Sequence, residues 1–106
     1  MTLVYQAEAP TPETLATSPG AVLLEFGVAW CPHCQAAEPA IAGALAGRQG
    51  ITHLRIEDGR GRPLGRAYGV KLWPTVVLLR DGVEVGRLVR PVTAETVATL
   101  LDSLGG

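Results

Sequence analysis

The chain has 106 residues, nine Lys or Arg against ten Asp or Glu, and a formal net charge of −1. That size fits one compact domain, and that balance leaves no charge excess to attract nucleic acid or an anionic membrane surface. With 47% apolar and 18% charged residues the chain is too apolar for a disordered tail. The segment before Ala21 has neither the basic start nor the apolar core of a leader, and no window approaches the ~20 apolar residues of a membrane span. A cytoplasmic protein is therefore expected, or a periplasmic or secreted one if a leader has been trimmed away.

Residues 3–7, LVYQA, form a short strand candidate. Thr11, Pro12 and Glu13 supply an N-cap, a first-turn proline and a first-turn acid for a short helix that Ser18-Pro19-Gly20 ends. AVLLEFGV (21–28) is a nearly continuous apolar run, as a central strand covered on both faces requires. From Cys34 to about Arg48 apolar and alanine residues run throughout, with Gly50 as a stop, which predicts a buried helix kinked at Pro39. ITHLRIED (51–58) is the next strand, followed by an Arg/Gly-rich loop and a short helix over Pro63 to Tyr68 with Gly69 beyond its end. TVVLLR (75–80), Asp81-Gly82 and VEVGRLV (83–89) predict a hairpin. Thr93 caps a last helix reaching about Leu104, with Val97, Leu100, Leu101 and Leu104 at helical spacing. Strands alternating with helices and closing in a hairpin predict an α/β domain, a central mixed β-sheet flanked by helices on both faces.

Both cysteines of the chain fall in WCPHC, residues 30–34. A disulfide between Cys31 and Cys34 would close a very small loop and restrict the unfolded chain little, so a structural staple is the weakest reading. In a reducing compartment a lone C-x-x-C is instead catalytic or metal-binding. The pair spans a strand-to-helix junction, with Cys31 at the helix N-terminus. Unsatisfied N–H groups and the positive end of the helix dipole favour a thiolate there. Cys31 is then the exposed nucleophile, and Cys34, one turn in and more buried, is placed to resolve a mixed disulfide. Pro32 suits the first turn. His33 adds a donor, and a charge when protonated, beside the sulfur, which favours the thiolate and makes the disulfide more oxidising. Glu25 interrupts the apolar run six residues before Cys31. Burial deprives its carboxylate of hydration and makes it a proton acceptor for Cys34 during resolution, unless it pairs with a cation or reaches solvent.

Trp30, Cys31 and Cys34, the helix proline Pro39 and the Trp73-Pro74-Thr75 segment stand together in the register of the thioredoxin family, which the chain resembles over essentially its whole length. The resemblance implies a thioredoxin fold, reversible exchange between the Cys31/Cys34 dithiol and protein disulfides, a thioredoxin-reductase-like electron donor, and a monomer without an organic cofactor. It also implies a cis peptide before Pro74. Such a bond would turn the backbone of Trp73 toward the cysteines, where an extended substrate could pair with it. Trp30, Trp73, Pro74 and Arg90 then line the substrate groove, and His53 falls where the family often carries a lysine partner for the buried acid.

Several residues depart from the family's pattern. Glu25 replaces its usual aspartate, Trp73 a smaller apolar residue, and Arg90-Pro91 a common glycine, which should narrow or recharge the groove. Pro32-His33 resembles the dipeptide of periplasmic disulfide oxidases, yet the chain has no room for their helical insertion. Across this fold potentials span about 150 mV, or about 7 kcal/mol for two electrons, enough to reverse direction. A divergent client set is expected. A competing reading is zinc or copper binding through Cys31, His33 and Cys34, and a third is a non-catalytic adaptor. Gly59-Arg60-Gly61-Arg62-Pro63 is read as a solvated loop, since it occurs once in a neutral chain and misses dinucleotide spacing.

Overall fold

The apolar run around Leu23 becomes the centre of a four-stranded sheet in the computed structural model, which describes residues 4–91 and 93–104. In chain order the elements are α1 (Pro12–Ala16), β1 (Ala21–Gly27), α2 (Pro32–Leu45), β2 (Ile51–Glu57), α3 (Pro63–Ala67), β3 (Thr75–Arg80), β4 (Val83–Val89) and α4 (Ala94–Asp102). The sheet order is β2-β1-β3-β4. β1 runs parallel to β2, through the α2 crossover, and antiparallel to β3. This is the predicted mixed sheet.

Alternation along β1 divides the core. Val22, Leu24 and Phe26 face Leu15 of α1 and Leu64 of α3, joined by Ile56, Val77 and Leu79. On the opposite face Leu23 meets Ala37, Ile41 and Ala44 of α2 and Val97 and Leu101 of α4, with Val76 and Leu78. Both faces are covered, so β1 carries almost no polar side chain. Glu25, two residues beyond Leu23 and 1% exposed, is the exception.

Local chemistry accounts for most of the boundaries. Thr11 and Thr93 accept hydrogen bonds from the backbone N–H groups of Thr14 and Thr96, capping α1 and α4 as expected. Helix α2 continues through Pro39. A mid-helix proline costs about 3 kcal/mol or more, offset here by burial of Ala37, Ala40, Ile41 and Ala44. The helix stops at Leu45, short of the predicted Arg48, because Ala46 turns to ψ 131° and Gly47 to φ 78°. Arg48 instead folds back and donates from Nε to the Ala44 carbonyl at 3.1 Å, satisfying one of the helix's open acceptors.

The predicted strand over 3–7 reduces to a bridge at Gln6, with Leu3 outside the described residues. Gln6 N–H donates to the Arg55 carbonyl at 2.7 Å and Glu57 N–H to the Gln6 carbonyl at 2.9 Å. Pairing stops there because the following Ala7-Glu8-Ala9 is exposed and gains nothing by burial, and Pro10 has no N–H to give. The hairpin matches its prediction. Asp81 and Gly82 both have positive φ, 50° and 82°, the type I′ geometry that suits strand twist. Val85 is the extra residue of a bulge opposite Leu78 and Leu79. Among the described residues no helix is long and apolar enough to cross a membrane.

The hairpin turn seats directly on α1, since a Cβ on Gly82 would stand 2.1 Å from the Ala16 carbonyl oxygen. Gly82→Ala therefore meets both a left-handed backbone and a backbone obstacle, and should destabilise the fold by at least about 1–3 kcal/mol. Urea unfolding of the two proteins checks this.

Candidate active site

Cys31 is the N-cap of α2. Its backbone is extended (φ −83°, ψ 121°), and its sulfur accepts a hydrogen bond from Cys34 N–H at 3.4 Å. The cap follows from sequence. β1 ends at Gly27, Cys31 N–H closes a turn onto the Val28 carbonyl at 3.3 Å, and Pro32 starts the helix where no N–H is needed. Gln35 braces the turn, its Nε2 donating to the Ala29 carbonyl at 2.8 Å.

The two sulfurs are held in opposite senses. Burial opposes ionisation of Cys31, but hydrogen bonds from the Cys34 thiol and N–H and from the His33 N–H, with the Arg90 charge, outweigh it and hold its pKa below the ordinary thiol value. Burial pushes the Cys34 thiol up to about 11, and the neighbouring Cys31 sulfur adds to the rise. His33 itself is exposed, and its backbone N–H acts on Cys31. The predicted order of burial holds, with Cys31 6% exposed and Cys34 1%. Cys31 is nonetheless not the open nucleophile anticipated. Trp73, larger than the family's usual residue, packs against the cluster of Val28, Cys31 and Cys34.

Around that cluster the groove is crowded. Trp30, 73% exposed, meets Trp73 edge-on with ring centroids 5.8 Å apart. Trp73 Nε1 donates to Asp58 Oδ2 at 2.8 Å, and the Trp73-Pro74 peptide is cis. Arg90 takes φ 52°, where the family's glycine would be at ease, and donates from Nε to the Trp73 carbonyl at 2.8 Å. The carbonyl expected to meet an incoming strand is thus already engaged by Arg90. Trp30, Trp73, Pro74 and Arg90 do come together beside Cys31.

Glu25 is not a lone buried carboxylate. His53 Nε2 lies 2.8 Å from its Oε1, while Tyr5 Oη and Arg55 Nε donate to Oε2 at 3.0 and 3.2 Å. Arg55 also stacks over the Tyr5 ring, 4.0 Å from its centre, and reaches Glu38 Oε2 at 3.5 Å. His53 stands where anticipated. Tyr5, Arg55 and Glu38 were not singled out in the sequence, although parallel pairing puts Arg55 opposite Glu25 and His53 opposite Leu23. The period of two in His53-Leu54-Arg55 is the signal that points both polar side chains at Glu25. Among the described residues no three His, Cys, Asp or Glu side chains form a group that could hold a metal, so His33 does not join the cysteines as a third ligand.

A dithiol at a helix start, with one thiol acidified and the other neutral behind it, is arranged for attack and resolution in disulfide exchange. Residues 4–103 match the profile of the thioredoxin family. The chain superimposes on thioredoxin 2 from Pseudomonas aeruginosa PAO1 in its reduced form with a TM-score of 0.88 and 49% identity, over 98% of this chain and 96% of that one. It is 32% identical over 105 residues to protein disulfide-isomerase A3 of Gallus gallus, covering 98% of this chain and 21% of the relative. It is 33% identical over 86 residues to thioredoxin H2-1 of Oryza sativa, covering 77% of this chain and 62% of the relative. The chain thus spans less than two thirds of either of these two relatives. The chain belongs to the thioredoxin family.

Two outcomes follow from the electrostatics. Thiolate absorbance of the reduced protein should rise in two separate steps, the first belonging mainly to Cys31 and the second centred near pH 11. A single merged step would contradict the opposed environments. Arg90→Gly removes a charge that favours the Cys31 thiolate, so the first step should move up in pH and alkylation by iodoacetamide below it should slow roughly threefold.

Proposed function

We propose that this chain works as a protein thiol-disulfide oxidoreductase. The Cys31 thiolate attacks a protein disulfide, Cys34 resolves the mixed disulfide, and a thioredoxin-reductase-like donor restores the dithiol. The observation that carries this reading is the paired asymmetry at the start of α2, with Cys31 held low and Cys34 pushed up to about 11. A thiolate that forms easily attacks and leaves well, and a neutral neighbour waits until the mixed disulfide exists. No organic cofactor is needed, because the dithiol carries both electrons. Glu25 is paired with Arg55 and His53 rather than isolated, and it serves as the proton acceptor in resolution as the buried carboxylate that the Tyr5 hydroxyl joins to the cluster of Cys34.

The groove argues for a narrow set of clients. Trp73 packs against the cluster that holds Cys31 and Arg90 already donates to the Trp73 carbonyl, so a client strand meets a bulky side chain and a backbone acceptor with one of its two lone pairs engaged. We place the protein in the cytoplasm, a reading supported by its use of only two cysteines, both in the exchange motif.

The test is the reduction potential, read from the reduced fraction in glutathione buffers, together with capture of clients by Cys34→Ser. We expect a potential on the oxidising side of about −270 mV, and disulfide-linked client adducts on Cys34→Ser that vanish in the Cys31→Ser, Cys34→Ser double variant. A dithiol that never equilibrates with glutathione, or adducts that survive loss of Cys31, would overturn the assignment.

A further inference from the structure

The mechanism as proposed leaves one transfer without a carrier. Burial favours the protonated Cys34 thiol, and to resolve a mixed disulfide it has to lose that proton as it attacks. Tyr5 lies between Cys34 and the acid. Its Oη donates to Glu25 Oε2 at 3.0 Å, and its ring packs against the cluster containing Cys34. Gly27 makes the approach feasible. A Cβ there would stand 2.6 Å from Cys34 Sγ and 3.0 Å from Tyr5 Oη, so the thiol and the phenol border one gap that only glycine leaves open.

We infer that Tyr5 is the proton carrier between Cys34 and Glu25, the S–H proton passing to Tyr5 Oη while the Tyr5 proton passes to Glu25 Oε2. This rests on the exchange activity proposed above. In the mixed disulfide the Cys31 sulfur no longer carries the charge that draws the Cys34 proton, and the thiol turns to the phenol, which already donates to the carboxylate. In the transfer the Cys34 S–H bond breaks and a Glu25 O–H bond forms, and Tyr5 ends as it began, a neutral phenol. The Cys34 thiolate then bonds to Cys31 Sγ, the bond from Cys31 to the substrate breaks, and the substrate sulfur leaves as a thiolate. Two electrons have passed from the dithiol to the substrate, and the proton rests on Glu25. No tyrosinate forms at any point, because burial and the Glu25 charge both raise the Tyr5 pKa. The groups facing Tyr5 are Glu25 from β1, Arg55 and, behind Glu25, His53 from β2, and Cys34 and Glu38 from α2. A cavity of about 310 Å³ is lined by Tyr5, Cys34, Glu38, Arg55 and Glu57 but not by Glu25, so the proton leaves Glu25 by way of Tyr5.

Stopped-flow reaction with an aromatic disulfide tests this. One thiolate is released when Cys31 attacks and a second when Cys34 resolves, at disulfide concentrations where the first phase is the faster. Tyr5→Phe keeps the ring beneath Arg55 and removes only the hydroxyl. It should leave the first phase within about twofold and slow the second at least about tenfold at neutral pH. The second-phase rate should recover as pH rises toward the range where Cys34 ionises unaided, a profile that loss of packing would not produce. Glu25→Gln should slow the same phase, and the double variant should be no slower than the slower single one, because both interrupt one path. An unchanged second phase in Tyr5→Phe with a slowed one in Glu25→Gln would remove Tyr5 and leave the acceptor in place. Multiplying effects in the double variant would also overturn the relay. Absence of any first phase in the wild type would instead sink the exchange activity itself. If Tyr5→Phe does not fold, the wild type in mixtures of light and heavy water decides. A curved dependence of the second phase on deuterium fraction fits two protons in flight, and a straight line overturns the relay.

Discussion

A carboxylate buried in the central strand sets the terms for this molecule. Glu25 sits on the face of β1 that α2 and α4 cover, where water cannot solvate it. Burying a charge is costly unless cations and donors surround it. Arg55 and His53 arrive from β2, and Tyr5 from the segment that bridges to β2 through Gln6. The parallel register of β1 and β2, the docking of the N-terminal segment and the polar cluster beside the dithiol are therefore mutually dependent. Arg55, 5% exposed, pairs with both Glu25 and Glu38 and so ties β2 to β1 and α2.

That cluster lies beneath a dithiol whose two sulfurs are one helical turn apart yet chemically unlike. Cys31 caps the helix and is surrounded by donors, whereas Cys34 faces inward toward Gly27 and Tyr5. The helix start supplies the asymmetry, because its free N–H groups point at the first sulfur and away from the second. Gly27 has a part in it too. The residue that ends β1 has to be small for the second sulfur and the phenol to meet.

The outer face of the site is more closed than the inner one is polar. Trp73 is fixed by Asp58, abutted by Trp30 and tied through its carbonyl to Arg90. Its side chain packs against the cluster that holds both sulfurs, and Arg90 both adds a charge near Cys31 and holds a left-handed backbone. The family's scaffold positions the dithiol, and Trp73 and Arg90 shape the groove beside it.

Much of this was already in the order of residues. Hydrophobic runs, caps and the Asp81-Gly82 turn are local signals, and they marked every helix and the four sheet strands to within a few residues, because capping, turn geometry and period act over short spans of chain. The WCPHC stretch likewise announced a dithiol at a helix start, and Trp30, Trp73, Pro74 and Arg90 were anticipated as its neighbours. The N-terminal strand failed as a prediction because β-propensity without a buried face does not sustain pairing beyond Gln6. Tyr5, Arg55 and Glu38 were not marked, since nothing near them in sequence says that Glu25 is close. Their roles come from a parallel register across 30 residues, from Glu25 to Arg55, and from a chain end laid across β2. The packing beside the dithiol is of the same kind: the bulk of Trp73 is written in the chain, but that it meets the cluster of Val28, Cys31 and Cys34 depends on how the loop before β3 folds. Local sequence determines elements and reactive groups; long-range packing determines which of those groups share a proton and which are shielded.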